Sequence, residues 1–241
     1  MGWWLGALGS PMGGAMLNAK LMITVWWEGL LDPVKAVALV RGEADVPGFG
    51  RALFVGVVVL LWIYGVSMGL FNSAYAGIVS AFKLPMLYVC TLAVCFPALY
   101  VLNHRGGPRL SARQTGRLLL MAISVNAVAL ASFSPFSYFF VLTTSADGYN
   151  FLVLMHVVVF GCAGAASLGV VAHLFLSVCR ASGVPVRWRF VFGWGFLYVF
   201  VGTQMSWALR PWFGAAGVEY AIFRAREGSF IQAVWGLLNS L

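Results

Sequence analysis

Few residues in this chain could do chemistry, and their spacing limits what that chemistry could be. The seven carboxylates are Glu28, Asp32, Glu43, Asp45, Asp147, Glu219 and Glu227. None lies within a long apolar stretch, whereas proton relays and ion-coupled transporters place ionisable groups at membrane depth. That disfavours a proton pump or a rotary ion-driven subunit, while backbone carbonyls could still hold Na⁺. His156 and His173 share one apolar stretch 17 residues apart, about 26 Å if it is helical. No histidine on another stretch completes a haem-ligating pair, and His104 falls in a loop. Both are expected to be hydrogen-bonded rather than metal-ligating. Cys90, Cys95, Cys162 and Cys179 form no C-x-x-C pair, so neither zinc nor a disulfide framework is indicated. A nucleophile elbow, a Walker loop and a dinucleotide fingerprint are missing as well. The expectation is a protein with no catalytic residue, no metal and no cofactor.

The remaining polar residues sit among apolar neighbours. Asn126, Gln204 and Ser206, with Ser124, Ser132, Ser134 and Ser137, are expected to hydrogen-bond between helices, at about 0.6 kcal/mol each on average in a bilayer. Lys83 and Arg210 stand at the expected ends of two apolar stretches. If those helices are neighbours, the two cations face one headgroup layer beside Gln204, Tyr88 or Trp212. Otherwise both snorkel to lipid phosphates. Gly161, Ala165 and Gly169 recur every four residues, a small-residue stripe that permits close helix approach.

The elements that must position these residues follow from composition. The chain has 241 residues, 61% hydrophobic and 9% charged, with a mean hydropathy of +0.90. A soluble domain carries about 25% charged residues, so lipid must be the solvent for much of this one. Five charge-free stretches reach the roughly 20 residues that span a bilayer: 52–71, 84–103, 118–141, 150–178 and 190–209. In the last, aromatics alternate from Trp188 to Phe200, but the intervening residues are Gly, Val and Leu. A barrel strand needs a polar lumen face, so the stretch reads as helix. Pro97 and Pro135 are expected to kink the second and third spans.

Fifteen Lys and Arg against seven Asp and Glu give a net charge of +8. Sorted by side for five crossings, eleven basic residues fall with the N-terminus, Lys20 to Arg189, and four fall opposite: Lys83, Arg210, Arg224 and Arg226. The positive-inside bias puts the N-terminus in the cytoplasm and the C-terminus outside. The basic loops are expected to touch anionic lipid, not nucleic acid. Lys20, Thr24, Glu28 and Asp32 mark a narrow polar face on an apolar helix lying in the membrane interface. Asp32-Pro33 should then open a short helix to Arg41 that stops at Gly42. Ser229 and Gln232 resemble a capping box for a second interfacial helix at the C-terminal end. The organisation is thus all-α integral membrane: interfacial helices in 1–50, five transmembrane helices in 51–212, and an outer segment with its own interfacial helix in 213–241.

Lys83-Leu84-Pro85, Cys95-Phe96-Pro97-Ala98-Leu99-Tyr100 with Asn103, and Gln204-Met205-Ser206-Trp207-Ala208-Leu209-Arg210-Pro211 together resemble a family of uncharacterised bacterial multi-pass inner-membrane proteins. The resemblance covers residues 82 to 241. It implies a bacterial inner membrane, brings no activity, and adds weight to Lys83, Pro97, Gln204, Arg210 and Pro211. Lys83, Asn103, Asn126, Gln204 and Arg210 are therefore the candidate binding or structural residues. The expected function is a non-catalytic scaffold or assembly subunit of a multi-subunit membrane complex, with homo- or hetero-oligomeric partners. The alternative is a permease or channel component handling an anionic or lipid-like solute. An intramembrane lipid enzyme, resting on His104 with Arg105, Arg109 and Arg113, is the third.

Overall fold

The computed structural model describes residues 33–43, 49–106, 108–144, 148–185, 188–210, 212, 232 and 235. Its helices are α1 (Pro33–Arg41), α2 (Phe49–Gly69), α3 (Ala74–Gly106), α4 (Ala112–Thr143), α5 (Tyr149–Ala181) and α6 (Trp188–Ala208). No strand occurs among the described residues. A helix closes its backbone hydrogen bonds within the segment, which is what an apolar solvent demands. α3, α4 and α5 are each long and apolar enough to cross a bilayer. α2 and α6 are shorter apolar helices of 21 residues.

The long helices overrun the charge-free stretches that announce them. At about 1.5 Å per residue, the 33 residues of α3 reach about 50 Å, against a hydrocarbon thickness of about 30 Å. A charge-free window ends at the first Lys or Arg, but the helix carries on through the headgroup layer. One expectation is corrected by this. Lys83 does not head its span: it stands inside α3, well past Ala74, and only 4% of it is exposed. Pro85, Pro97 and Pro135 also lie within helices.

Capping explains several boundaries. α1 ends as expected, with Gly42 at φ +78° and the Glu43 N–H donating to the Ala38 carbonyl. Gly183, at φ +65°, closes α5 the same way, with Val184 donating to Cys179. The Ser111 hydroxyl accepts from the Gln114 N–H while the Gln114 side chain accepts from the Ser111 N–H, a complete capping box that opens α4. Ser73 accepts from the Ala76 N–H and opens α3. The expected interfacial helix around 20–32 lies outside the described residues. So does the C-terminal one, apart from Gln232 and Trp235.

α4 is the central helix, with 56% of its most apolar window buried against 22% for α5. It packs on α2 and α5, while α3 packs on α2 and α6. The α2–α3 hairpin is tight because Gly65 and Gly69 lie directly on α3. A Cβ on Gly65 would come within 2.7 Å of the Ser80 carbonyl oxygen, and one on Gly69 within 2.7 Å of Gly77 Cα. This is the close approach that a small-xxx-small spacing allows.

The expected stripe at Gly161, Ala165 and Gly169 is different. Those residues are exposed, and nothing lies within 4 Å of a Cβ built on Gly161 or Gly169. Among the described residues they pack against no other helix. α6 leans on α3 and barely meets α5.

One end of the bundle is basic. α3 finishes at Arg105 and α5 at Arg180, while α4 begins with Arg113 and Arg117 and α2 with Arg51. α1 caps this end. Its Arg41 and Leu39 carbonyls accept from the Gln114 amide (2.9 Å) and Arg117 guanidinium (3.4 Å), and Arg41 donates to Ser182 Oγ (2.6 Å). Beneath these polar ties, Val37, Leu39 and Val40 pack with Leu53, Leu110, Leu118 and Val178.

Candidate functional site

Because α5 and α6 scarcely touch, a cleft of about 400 Å³ opens between them. Its back wall is α3, through Leu87, Tyr88 and Thr91, and its floor is Asn126 of α4. Gly161, Gly164, Ala165 and Leu168 form the α5 wall; Tyr198, Gly202, Thr203 and Ser206 form the α6 wall. Thr91, Asn126, Gly164 and Tyr198 each lie near the midpoint of their own helix. The cleft therefore sits at mid-height in the bundle.

The floor is polar and held in place. Tyr88 Oη donates to Asn126 Oδ1 at 2.6 Å, a buried bond joining α3 to α4. Beside it, Thr91 is 3% exposed and its hydroxyl has no partner among the described residues. Around this polar spot the lining is mostly apolar, and Gly161, Gly164 and Ala165 leave a gap in the α5 wall flanked by Phe160 and Leu168. Such a surface accommodates apolar chains or the side chains of another helix, with one or two hydroxyls left to bond.

Of the candidates Lys83, Asn103, Asn126, Gln204 and Arg210, Asn126 lines the cleft. Gln204 is on α6 but exposed and outside the lining, and Ser206 lines it instead. Asn103 sits toward the basic end, in a separate cavity with Thr115 and Trp194. Lys83 and Arg210 are near the opposite end. α3 and α6 are neighbours, as the paired-cation reading requires, and Ser80, one turn before Lys83, donates to the Trp212 carbonyl. The Arg210 guanidinium carbon lies 3.5 Å from the centre of the Trp207 ring, a cation–π contact. Trp212 Nε1 donates to the Ser206 carbonyl at 3.0 Å.

The structure also makes a pair that spacing alone did not reveal. His156 on α5 has Nδ1 2.7 Å from the Leu152 carbonyl and Nε2 3.0 Å from Ser137 Oγ on α4. A carbonyl only accepts, so Nδ1 carries a proton; in the neutral ring Nε2 then accepts from the serine. Ser137 and His156 are within nucleophile–base reach. Yet they are 0% and 3% exposed, beneath Tyr64, whose ring centre is 5.8 Å from the imidazole. No substrate can reach that hydroxyl in this conformation. The pair ties α4 to α5.

No three His, Cys, Asp or Glu among the described residues converge as a metal site. No protein-family model, curated protein or solved structure matches this chain.

Proposed function

We propose that the chain is a non-catalytic subunit of a multi-subunit complex in a bacterial inner membrane, a five-span scaffold whose mid-height cleft receives the side chains of a partner's membrane helix. The observation that carries this reading is the open α5 wall. Gly161 and Gly164 have nothing within 4 Å of a built Cβ, and in a bilayer such small-residue surfaces are where helices pack closely. Phe192 and Phe196, 71% and 73% exposed on α6, continue the apolar face. In this reading α2 and α6 complete five crossings. The arginine-rich end faces the cytoplasm by the positive-inside bias, the C-terminus lies outside, and interfacial helices flank both ends. The bacterial inner membrane rests on the sequence resemblance.

Gentle solubilisation from native membranes and mass measurement test it. The native protein should exceed the monomer mass, and a photoactivatable cross-linker attached to the exposed Cys162 should capture the neighbour. Gly161→Leu with Gly164→Leu, which fills the cleft wall, should release the partner without unfolding the chain. A lone wild-type monomer with nothing co-purifying would overturn the proposal.

A second reading, half of a dimeric permease for a lipid-like solute, draws on the cleft's mid-height position, since transporter sites lie near the bilayer midplane, and on Lys83, buried nearer the start of α3. Flux in reconstituted vesicles that drops in Thr91→Val and Lys83→Ala would favour it. Flux no greater than in empty vesicles, with partners added, would end it.

A further inference from the structure

A second, smaller site lies where α3 ends and α4 and α6 begin. It is a cavity of about 40 Å³ lined by Asn103, Thr115, Leu118, Phe175 and Trp194, among others. Three of its lining residues, on three helices, carry a buried polar atom: Asn103 Oδ1, Thr115 Oγ1 and Trp194 Nε1. Each is buried, and none has a hydrogen-bond partner among the described residues. Asn103 and Thr115 are 6% and 4% exposed, so bulk water does not serve them. Asn103 is already oriented, because its amide nitrogen donates to the Leu110 carbonyl at 3.4 Å, turning the oxygen to the other side.

A buried polar group left without a partner is destabilising, and three such groups at one void call for a common ligand. The chemistry of the three selects it. An amide oxygen only accepts, an indole N–H only donates, and a hydroxyl does either. A metal ion cannot accept from the indole, and an anion cannot donate to the amide. A water molecule does both. A cavity needs about 10–15 Å³ of such volume to hold one water, so this one takes roughly one to three. We infer that Asn103, Thr115 and Trp194 build an internal hydration site that joins α3, α4 and α6 through bound water. Arg105, Arg109 and Arg113 are exposed close by, so the water has a short path to the aqueous end.

This gives Asn103 a role separate from the mid-height cleft and independent of any partner. It also supplies a polar joint to α6, which otherwise leans mainly on α3.

The test is the hydrogen-bond state of the Trp194 indole in the full chain in lipid nanodiscs, read as the ultraviolet resonance Raman difference between wild type and Trp194→Phe. The expected signature is a hydrogen-bonded N–H that exchanges in D2O. Thr115→Val should shift it toward the unbonded position, and Thr115→Ser should leave it as in wild type. An experimental density map fine enough to place waters should show density among the three atoms. An unbonded indole in wild type, an unchanged band in Thr115→Val, or an empty cavity in that map would each overturn the inference.

Discussion

The contact between α2 and α3 gives the sharpest prediction, because backbone cannot rotate out of the way. In Gly65→Ala the new methyl would sit 2.7 Å from the Ser80 carbonyl oxygen and 2.8 Å from Ala81 Cα. Ordinary contact begins at 3.4 Å, so the helices must part by about 0.7 Å. Gly69→Ala requires a somewhat larger separation from Ala76 and Gly77. A gap of 0.5–1 Å forfeits roughly a quarter to a half of the dispersion attraction between the surfaces it separates, and overpacking of this kind costs about 1–3 kcal/mol. Against that, alanine gains up to about 1 kcal/mol over glycine in a helix interior. The balance is a net loss of up to about 2 kcal/mol for each. Gly193→Ala is the matched control: α6 leaves that position exposed with nothing within 4 Å, so it should be neutral or stabilising. Heating the detergent-solubilised protein with a thiol-reactive fluorophore reads this directly, since the buried Cys95 and Cys179 become reactive on unfolding. Gly65→Ala and Gly69→Ala should melt several degrees below wild type, at about 2–4 °C per kcal/mol for a chain of this size. Equal melting of all three variants would show that α2 and α3 are not packed backbone to backbone.

Three further outcomes follow from the same contacts. Tyr88→Phe removes the donor to buried Asn126 and should lower stability by about 0.6–1.7 kcal/mol. In a double-mutant cycle Asn126→Leu should then add less than it does alone, and strictly additive losses would rule out the bond. Ser111→Ala should cost about 0.5–2 kcal/mol as a lost helix cap. Gln114→Ala should cost more, because it also releases the Arg41 carbonyl; the melting assay above ranks the two. Ser137 should stay unlabelled by a fluorophosphonate in native membranes, since it is fully buried, and labelling would show that the Ser137–His156 pair is reachable as a nucleophile and base.

Composition and hydropathy alone decide that the chain is helical and lipid-solvated, because 9% charge cannot cover a protein surface in water and only internally bonded backbone survives in oil. The stop at Gly42 was also legible, since a glycine after a short apolar helix is a local signal. Signals of the same local kind exist for Ser111 and Gln114, three residues apart, and for Gly65 and Gly69, four apart, and the stripe at Gly161, Ala165 and Gly169 has the same spacing as the latter. Nothing local distinguishes a glycine that faces a neighbouring helix from one that faces outward, since both stretches are equally apolar. Lys83 looked like a helix end because a charge ends an apolar window; only the packed hairpin, with Ser73 capping α3, placed it inside. The Ser137–His156 tie, the Tyr88–Asn126 floor of the cleft and the hydration node at Asn103, Thr115 and Trp194 all join residues from different helices. Their meeting depends on how each helix is rotated about its axis. In lipid that rotation is set by side-chain packing between helices, and hydropathy, which is the same all round an apolar helix, does not encode it.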